Sequence, residues 1–141
     1  CAAPSYVARR GMPRAVSDVA GHDCLVIKER DHPFGVWKLR CGADEQTVKV
    51  TGPLSANHGE IVVQWALDGR GIALRSLWDV GAHLRAGRLV QLLPEWRQEA
   101  NVWAVYPTRL QLSAKVRVCV EFLQEYFRQE WPAPPKPDER A

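Results

Sequence analysis

The sequence predicts an α/β fold. Three observations lead there. Cys24-Leu25-Val26-Ile27 is a short apolar run of the kind a buried strand needs. Val36–Cys41 and Gln46–Val50 each alternate apolar and polar residues, the period of a strand with one wet face. Between Asn57 and Leu74 a helical apolar pattern, a glycine stop and a compact strand follow one another within a few residues, as in an α/β unit.

Read in order, Pro4 opens a short helix that runs through Ser5-Tyr6-Val7-Ala8-Arg9-Arg10 and stops at Gly11 and Pro13. Ser17-Asp18-Val19-Ala20 before Gly21 reads as a single turn, and Cys24–Ile27 as the buried strand. Gly42-Ala43-Asp44 supplies turn chemistry between the two alternating runs, which makes them a hairpin. Asn57 is expected to cap the next helix, with Glu60 reaching back as in a capping box. Ile61, Val62, Trp65 and Ala66 lie on its apolar face, and Gly69 and Gly71 end it. Ile72-Ala73-Leu74 reads as a strand and Leu77–Leu84 as a helix ended by Arg85-Ala86-Gly87. Leu89–Leu93 and Val102–Tyr106 read as strands closed by Pro94 and Pro107. Ser113 caps a long amphipathic helix whose stripe is Val116, Cys119, Val120, Leu123, Tyr126 and Phe127. Residues 132–141 hold four prolines and several charges and are expected to be disordered.

Composition narrows the function classes. At 141 residues, 46% hydrophobic and 25% charged, the chain is one domain's worth of globular protein. A net charge of +3, from 19 basic and 16 acidic residues with no basic cluster, gives no nucleic-acid face. Arg9–Arg10 and Arg85/Arg88 read as solvated helix ends. No apolar run approaches the length of a membrane span, and no secretory signal is visible. The start at Cys1 suggests a piece of a longer protein. Cys1, Cys24, Cys41 and Cys119 form no CxxC pair and have no histidine at zinc-finger spacing, so free thiols in a reducing compartment are expected.

Four segments, in order, resemble the LysR family of bacterial transcription regulators. Ala3-Pro4-Ser5-Tyr6-Val7 through Gly11-Met12-Pro13, then Asp18-Val19 and His22-Asp23-Cys24-Leu25, is similar to the family's opening SPxYLxxxGxPxxPxDLxxHxCL. Val50-Thr51-Gly52-Pro53-Leu54-Ser55-Ala56-Asn57-His58-Gly59-Glu60 is the second segment. Gly69-Arg70-Gly71-Ile72-Ala73-Leu74 through Ala86-Gly87-Arg88-Leu89-Val90 is the third. Val105-Tyr106-Pro107 with Ser113-Ala114-Lys115-Val116-Arg117 and Phe122-Leu123 is the fourth. Each is soft alone, and the ordered set is specific. Ala3 stands where the family has serine, and Arg75-Ser76 replaces a proline, as in a large subgroup.

The resemblance implies a periplasmic-binding-protein-like (type 2) α/β effector domain. Residues 1–100 would form subdomain II, 101–130 would return a strand and helix to subdomain I, and 131–141 would be a tail. The family's winged helix-turn-helix, its linker helix and the first half of subdomain I would lie outside these 141 residues. A small effector, with a carboxylate as the candidate, would bind in the cleft between subdomains. DNA would be reached only through the absent domain. A cytoplasmic homo-oligomer with no membrane partner, no cofactor and no metal is expected.

Within that frame, Ser55, Asn57 and His58 are the candidate ligand contacts, with Gly59 giving backbone access. Free N–H groups at a helix N-terminus favour an anion, and a glycine lets it approach. The competing reading makes Asn57 only a cap and His58 merely exposed. Trp37 and Trp65 are read as core before pocket walls, and His22 as a hydrogen-bonded structural residue. Arg75 is read as a solvated surface arginine ahead of a carboxylate partner. No GxSxG, HExxH, GxGxxG or P-loop is present, so no catalytic residue is expected. An N-terminal nucleophile at Cys1 is discounted. A periplasmic solute-binding protein fragment and a small enzyme remain the alternatives.

Overall fold

A computed structural model describes residues 1–28, 34–99, 103–107 and 113–130. The chain divides into two compact units, Cys1–Ala100 and Asn101–Ala141. In the first, α1 (Pro4–Arg10) and a 3-10 turn (Val16–Gly21) precede β1 (Cys24–Ile27). The hairpin strands β2 (Val36–Cys41) and β3 (Asp44–Lys49) follow, then β4 (Ser55–Ala56), α2 (Gly59–Leu67), β5 (Ile72–Ala73) and α3 (Leu77–Arg85). The second unit contains α4 (Ala114–Glu130).

The heart of the first unit is a parallel sheet in the order β4-β1-β5. Val26 pairs with Ser55 and Ile27 with Ala56 on one side; Cys24 pairs with Ile72 and Leu25 with Ala73 on the other. Alternate side chains of β1 therefore enter different cores. Cys24 and Val26 join Tyr6, Val19, Leu39 and Val48, beneath α1 and the hairpin. Leu25 joins Val62, Ala66, Val80 and Leu89, beneath α2 and α3. A strand covered on both faces must be apolar throughout, which is why β1 shows no alternation in sequence. Trp37 packs on the first core and Trp65 on the second, as expected of core residues.

Two hydrogen-bonded features fix the edge where the strands begin. The Asp23 N–H donates to Tyr6 Oη at 2.9 Å, and Tyr6 Oη lies 3.2 Å from His22 Nδ1. The Tyr6 hydroxyl therefore bridges the Asp23 backbone and the His22 ring. His22 is thus the structural residue the sequence suggested. Arg9 donates to the Gly69 carbonyl at 2.9 Å, and its guanidinium lies over the Tyr6 ring. Gly69 holds φ +69°, and a Cβ there would stand 2.6 Å from Ser5 Oγ.

Several expectations require correction. Leu89–Leu93 is not a strand: only Val90 makes a bridge, to Ala2. Leu93 turns to φ +49° and accepts from the Trp96 N–H, so the apolar run is buried by a turn. Among the described residues Trp103–Tyr106 pairs with no strand, and Trp103 and Val105 are 79% and 92% exposed. Alternation without a neighbouring edge does not make a ladder. Val102 and the tail 131–141 lie outside the described residues. Asn57 is not the cap of α2: that position is His58, at φ −128° and ψ 121°, which makes no side-chain cap. The cause is β4, an element the sequence did not show, which pins Ser55 and Ala56 against β1 and leaves Asn57 as the bend that follows.

Cys1 joins the free edge of β5. Its nitrogen donates to the Ala73 carbonyl at 2.8 Å, and its carbonyl accepts from Ala73 at 2.8 Å. Burial pushes the Cys24 thiol up to about 12. All four cysteines are free thiols.

Replacing Tyr6 with Phe strands the Asp23 N–H and His22 Nδ1 in a site where Tyr6 is fully buried. A loss of about 1–3 kcal/mol is expected in urea unfolding; an unchanged midpoint would refute the role given to this hydroxyl.

Candidate functional site

All three parallel strands point their carboxyl ends to one edge of the sheet, and the loops there carry the candidate residues. Open parallel sheets bind ligands at this edge. Lys28 follows β1, with its N–H bonded to the Ala56 carbonyl at 2.8 Å. Asn57 and His58 follow β4 and lead into α2. Leu74, Arg75 and Ser76 follow β5 and lead into α3. Two helix N-termini therefore open onto the same edge.

The structure gathers the four sequence-selected residues in one segment. Ser55, Asn57 and His58 are exposed, and Gly59 is half-buried at the first position of α2. Between them, Leu54 and Ala56 turn inward to the second core. Pairing with β1 thus sets which side chains of the segment are outward and polar. The first turn of α2 has no side-chain cap, which leaves its N–H groups to other acceptors. In α3 the equivalent need is met internally: Ser76 Oγ accepts from the Trp78 N–H at 3.1 Å.

Arg75 departs from the sequence reading. Its side chain is only 17% exposed, and its Nε–H is buried with no acceptor among the described residues. The guanidinium lies against Gly59: a Cβ built there would stand 2.7 Å from Arg75 Cζ. Its ion-pair partner is Asp79, one helical turn along. The signal in the sequence was Arg75 directly after the Ile72-Ala73-Leu74 run, where a strand end meets a sheet edge; burial there depends on Gly59, 16 positions away, which no local pattern reveals. Lys28, His58 and Arg75 bring basic groups to the edge, and Glu60 and Asp79 bring acidic ones. Among the described residues, no group of three His, Cys, Asp or Glu side chains is placed to hold a metal ion.

The arrangement is that of a periplasmic-binding-protein-like (type 2) effector domain. The regulatory domain of AphB from Vibrio vulnificus superposes with a TM-score of 0.69 at 26% identity, covering 89% of this chain and 62% of that one. That of CrgA, a LysR-type transcriptional regulator from Neisseria meningitidis, gives 0.69 at 30% identity, with 88% and 61% covered. The LysR substrate binding domain model matches residues 1–128, and the chain belongs to that family. Curated relatives include the HTH-type transcriptional regulator DmlR of Escherichia coli K12, 60% identical over 132 residues, which cover 94% of this chain and 43% of DmlR. The HTH-type transcriptional activator TtdR of the same strain is 52% identical over 139 residues, with 99% and 44% covered. The chain therefore spans less than half the length of these relatives.

Proposed function

We propose that this chain is the effector-sensing part of a LysR-type transcription regulator, and that it binds a small carboxylate at the carboxyl edge of its parallel sheet. The observation that carries the reading is the convergence there of the uncapped start of α2 with Arg75, whose cationic head is mostly withdrawn from water. Ser55, Asn57 and His58 contact the ligand from the β4–α2 segment, and Gly59 keeps the backbone accessible. The unit Cys1–Ala100 serves as subdomain II, and residues 101–130 belong with subdomain I. Ligand binding shifts the populations of two subdomain arrangements and through them the grip on DNA. DNA is contacted by a helix-turn-helix of the kind for which DmlR and TtdR are named, in a portion of the regulator these 141 residues do not match. The chain carries no catalysis of its own and works in the cytoplasm without a cofactor. No helix among the described residues is long and apolar enough to cross a membrane.

A thermal-shift screen against small aliphatic and aromatic carboxylates, each paired with its neutral amide, tests this. A ligand at a hundredfold excess over its Kd stabilises the fold by about 2.7 kcal/mol. The acid should raise Tm, its amide should not, and Asn57→Ala should weaken the response. Equal shifts for acid and amide would overturn the carboxylate assignment.

The second unit suits association. On α4, Val118, Phe122 and Tyr126 are exposed, with Phe122 and Tyr126 stacked at 6.4 Å, and Cys119 is exposed beside them. An apolar helix face of this kind is a contact surface. Light scattering on the 141-residue chain should show mass rising above the monomer with concentration, and Phe122→Glu should reduce it. A constant monomer mass would count against homo-oligomers formed through α4.

A further inference from the structure

Arg75 sits where electrostatics does not favour a cation. Its guanidinium lies against the first residue of α2 and pairs within the first turn of α3, so it stands at the positive ends of two helices. Its Nε–H is buried without an acceptor, and such a donor is costly to leave unmet. Among the described residues the Asp79 carboxylate offsets this, itself 38% exposed and on the same side of the edge. A methyl at Gly59 would stand 2.7 Å from Cζ and 3.0 Å from Nη1, so the guanidinium would have to shift away from the start of α2 to admit one.

We propose that Arg75 is the receptor for the ligand's carboxylate, that Gly59 is its seat, and that Asp79 is a built-in competitor occupying the same guanidinium until a ligand displaces it. This rests on the effector-sensing reading and deepens it by naming the group that recognises the anion. The partner already present shows the chemistry that fits: a carboxylate, presented to a planar fork of donors with more N–H groups than Asp79 can satisfy. Displacement keeps the count of ion pairs at Arg75 constant. Selectivity then comes from what the ligand adds, contacts with the uncapped start of α2 that Asp79, placed on α3, does not make. Asp79 also sets a threshold, since a ligand must outcompete a carboxylate tethered one turn away. Asp79 is itself part-exposed, so that threshold amounts to about a two- to fivefold change in apparent affinity.

The test reads Arg75 directly and requires no knowledge of the natural ligand. The Nε–H of Arg75 is followed by ¹H–¹⁵N correlation in the 141-residue chain, assigned by its loss in Arg75→Lys, during titration with formate at constant ionic strength against a chloride control. In Asp79→Asn the formate midpoint should fall about two- to fivefold below that of the unaltered chain. In Gly59→Ala the resonance should move and the response to formate should weaken. Asp79→Ser replaces Asp79→Asn if the latter loses amide dispersion. Equal midpoints with and without the Asp79 carboxylate, or a response that chloride reproduces, would overturn the proposal. The outcomes separate it from the reading it rests on. A formate response released by Asp79→Asn, with no stabilising acid in the thermal screen, would leave the receptor standing and remove the sensing role. A stabilising acid with Arg75 Nε unmoved would do the reverse.

Discussion

The burial of β1 on both faces is the constraint from which the rest follows. A strand only four residues long, Cys24–Ile27, divides its side chains between two cores and is paired on both edges. Because its partners are parallel, each must be reached by a crossover: the β2–β3 hairpin carries the chain from β1 to β4, and α2 carries it from β4 to β5. The same parallel arrangement sends the loops after β1, β4 and β5 to a common edge. The candidate site is thus a consequence of strand direction before it is a matter of particular side chains. Its polar residues are those that the pleat turns away from the cores, Ser55 and Asn57 against Leu54 and Ala56.

Much of this was legible in the sequence because it rests on local pattern. The unbroken apolar run marked β1, the alternation marked the hairpin, and glycine and proline bounded α1 and α2. What was not legible depended on partners distant in the chain. β4 is two residues long and exists because β1 offers it an edge. The expected capping box at Asn57 failed for the same reason: a strand claims the residues before it, and the helix starts two positions later at Gly59. The runs Leu89–Leu93 and Trp103–Tyr106 had strand composition but met no ladder. The four selected residues share a segment by sequence alone, and the fold carries that segment to the sheet edge, whereas Arg75 was misjudged. Its setting depends on the missing Cβ of Gly59 and on the fold that brings the two together.

The charge arrangement at this edge differs from that of an ordinary surface pair. Most surface ion pairs lie far from helix ends and contribute little. Here the cation is mostly buried and sits beside the positive ends of two dipoles, with one carboxylate to balance them. Local stability alone does not account for such a placement, and an apolar residue at the strand end would avoid the conflict. Local rules tend to be broken at functional sites, and the break at Arg75 coincides with the place where a parallel sheet receives ligands.

The two rims of the sheet are also built to different stiffness. At the amino rim α1 acts as a brace. Tyr6 holds Asp23, Arg9 holds the Gly69 carbonyl, and Arg10 reaches both the Gly21 carbonyl and the Asp23 carboxylate. These ties join residues 11 to 60 positions apart, so the starts of β1 and β5 are clamped to a common strut. At the carboxyl rim the side-chain bonds Arg75 to Asp79 and Ser76 to Trp78 are short-range. A body braced more heavily at one end than at the other bends like a cantilever. Displacement gathers at the lighter end, and that is where the candidate site lies.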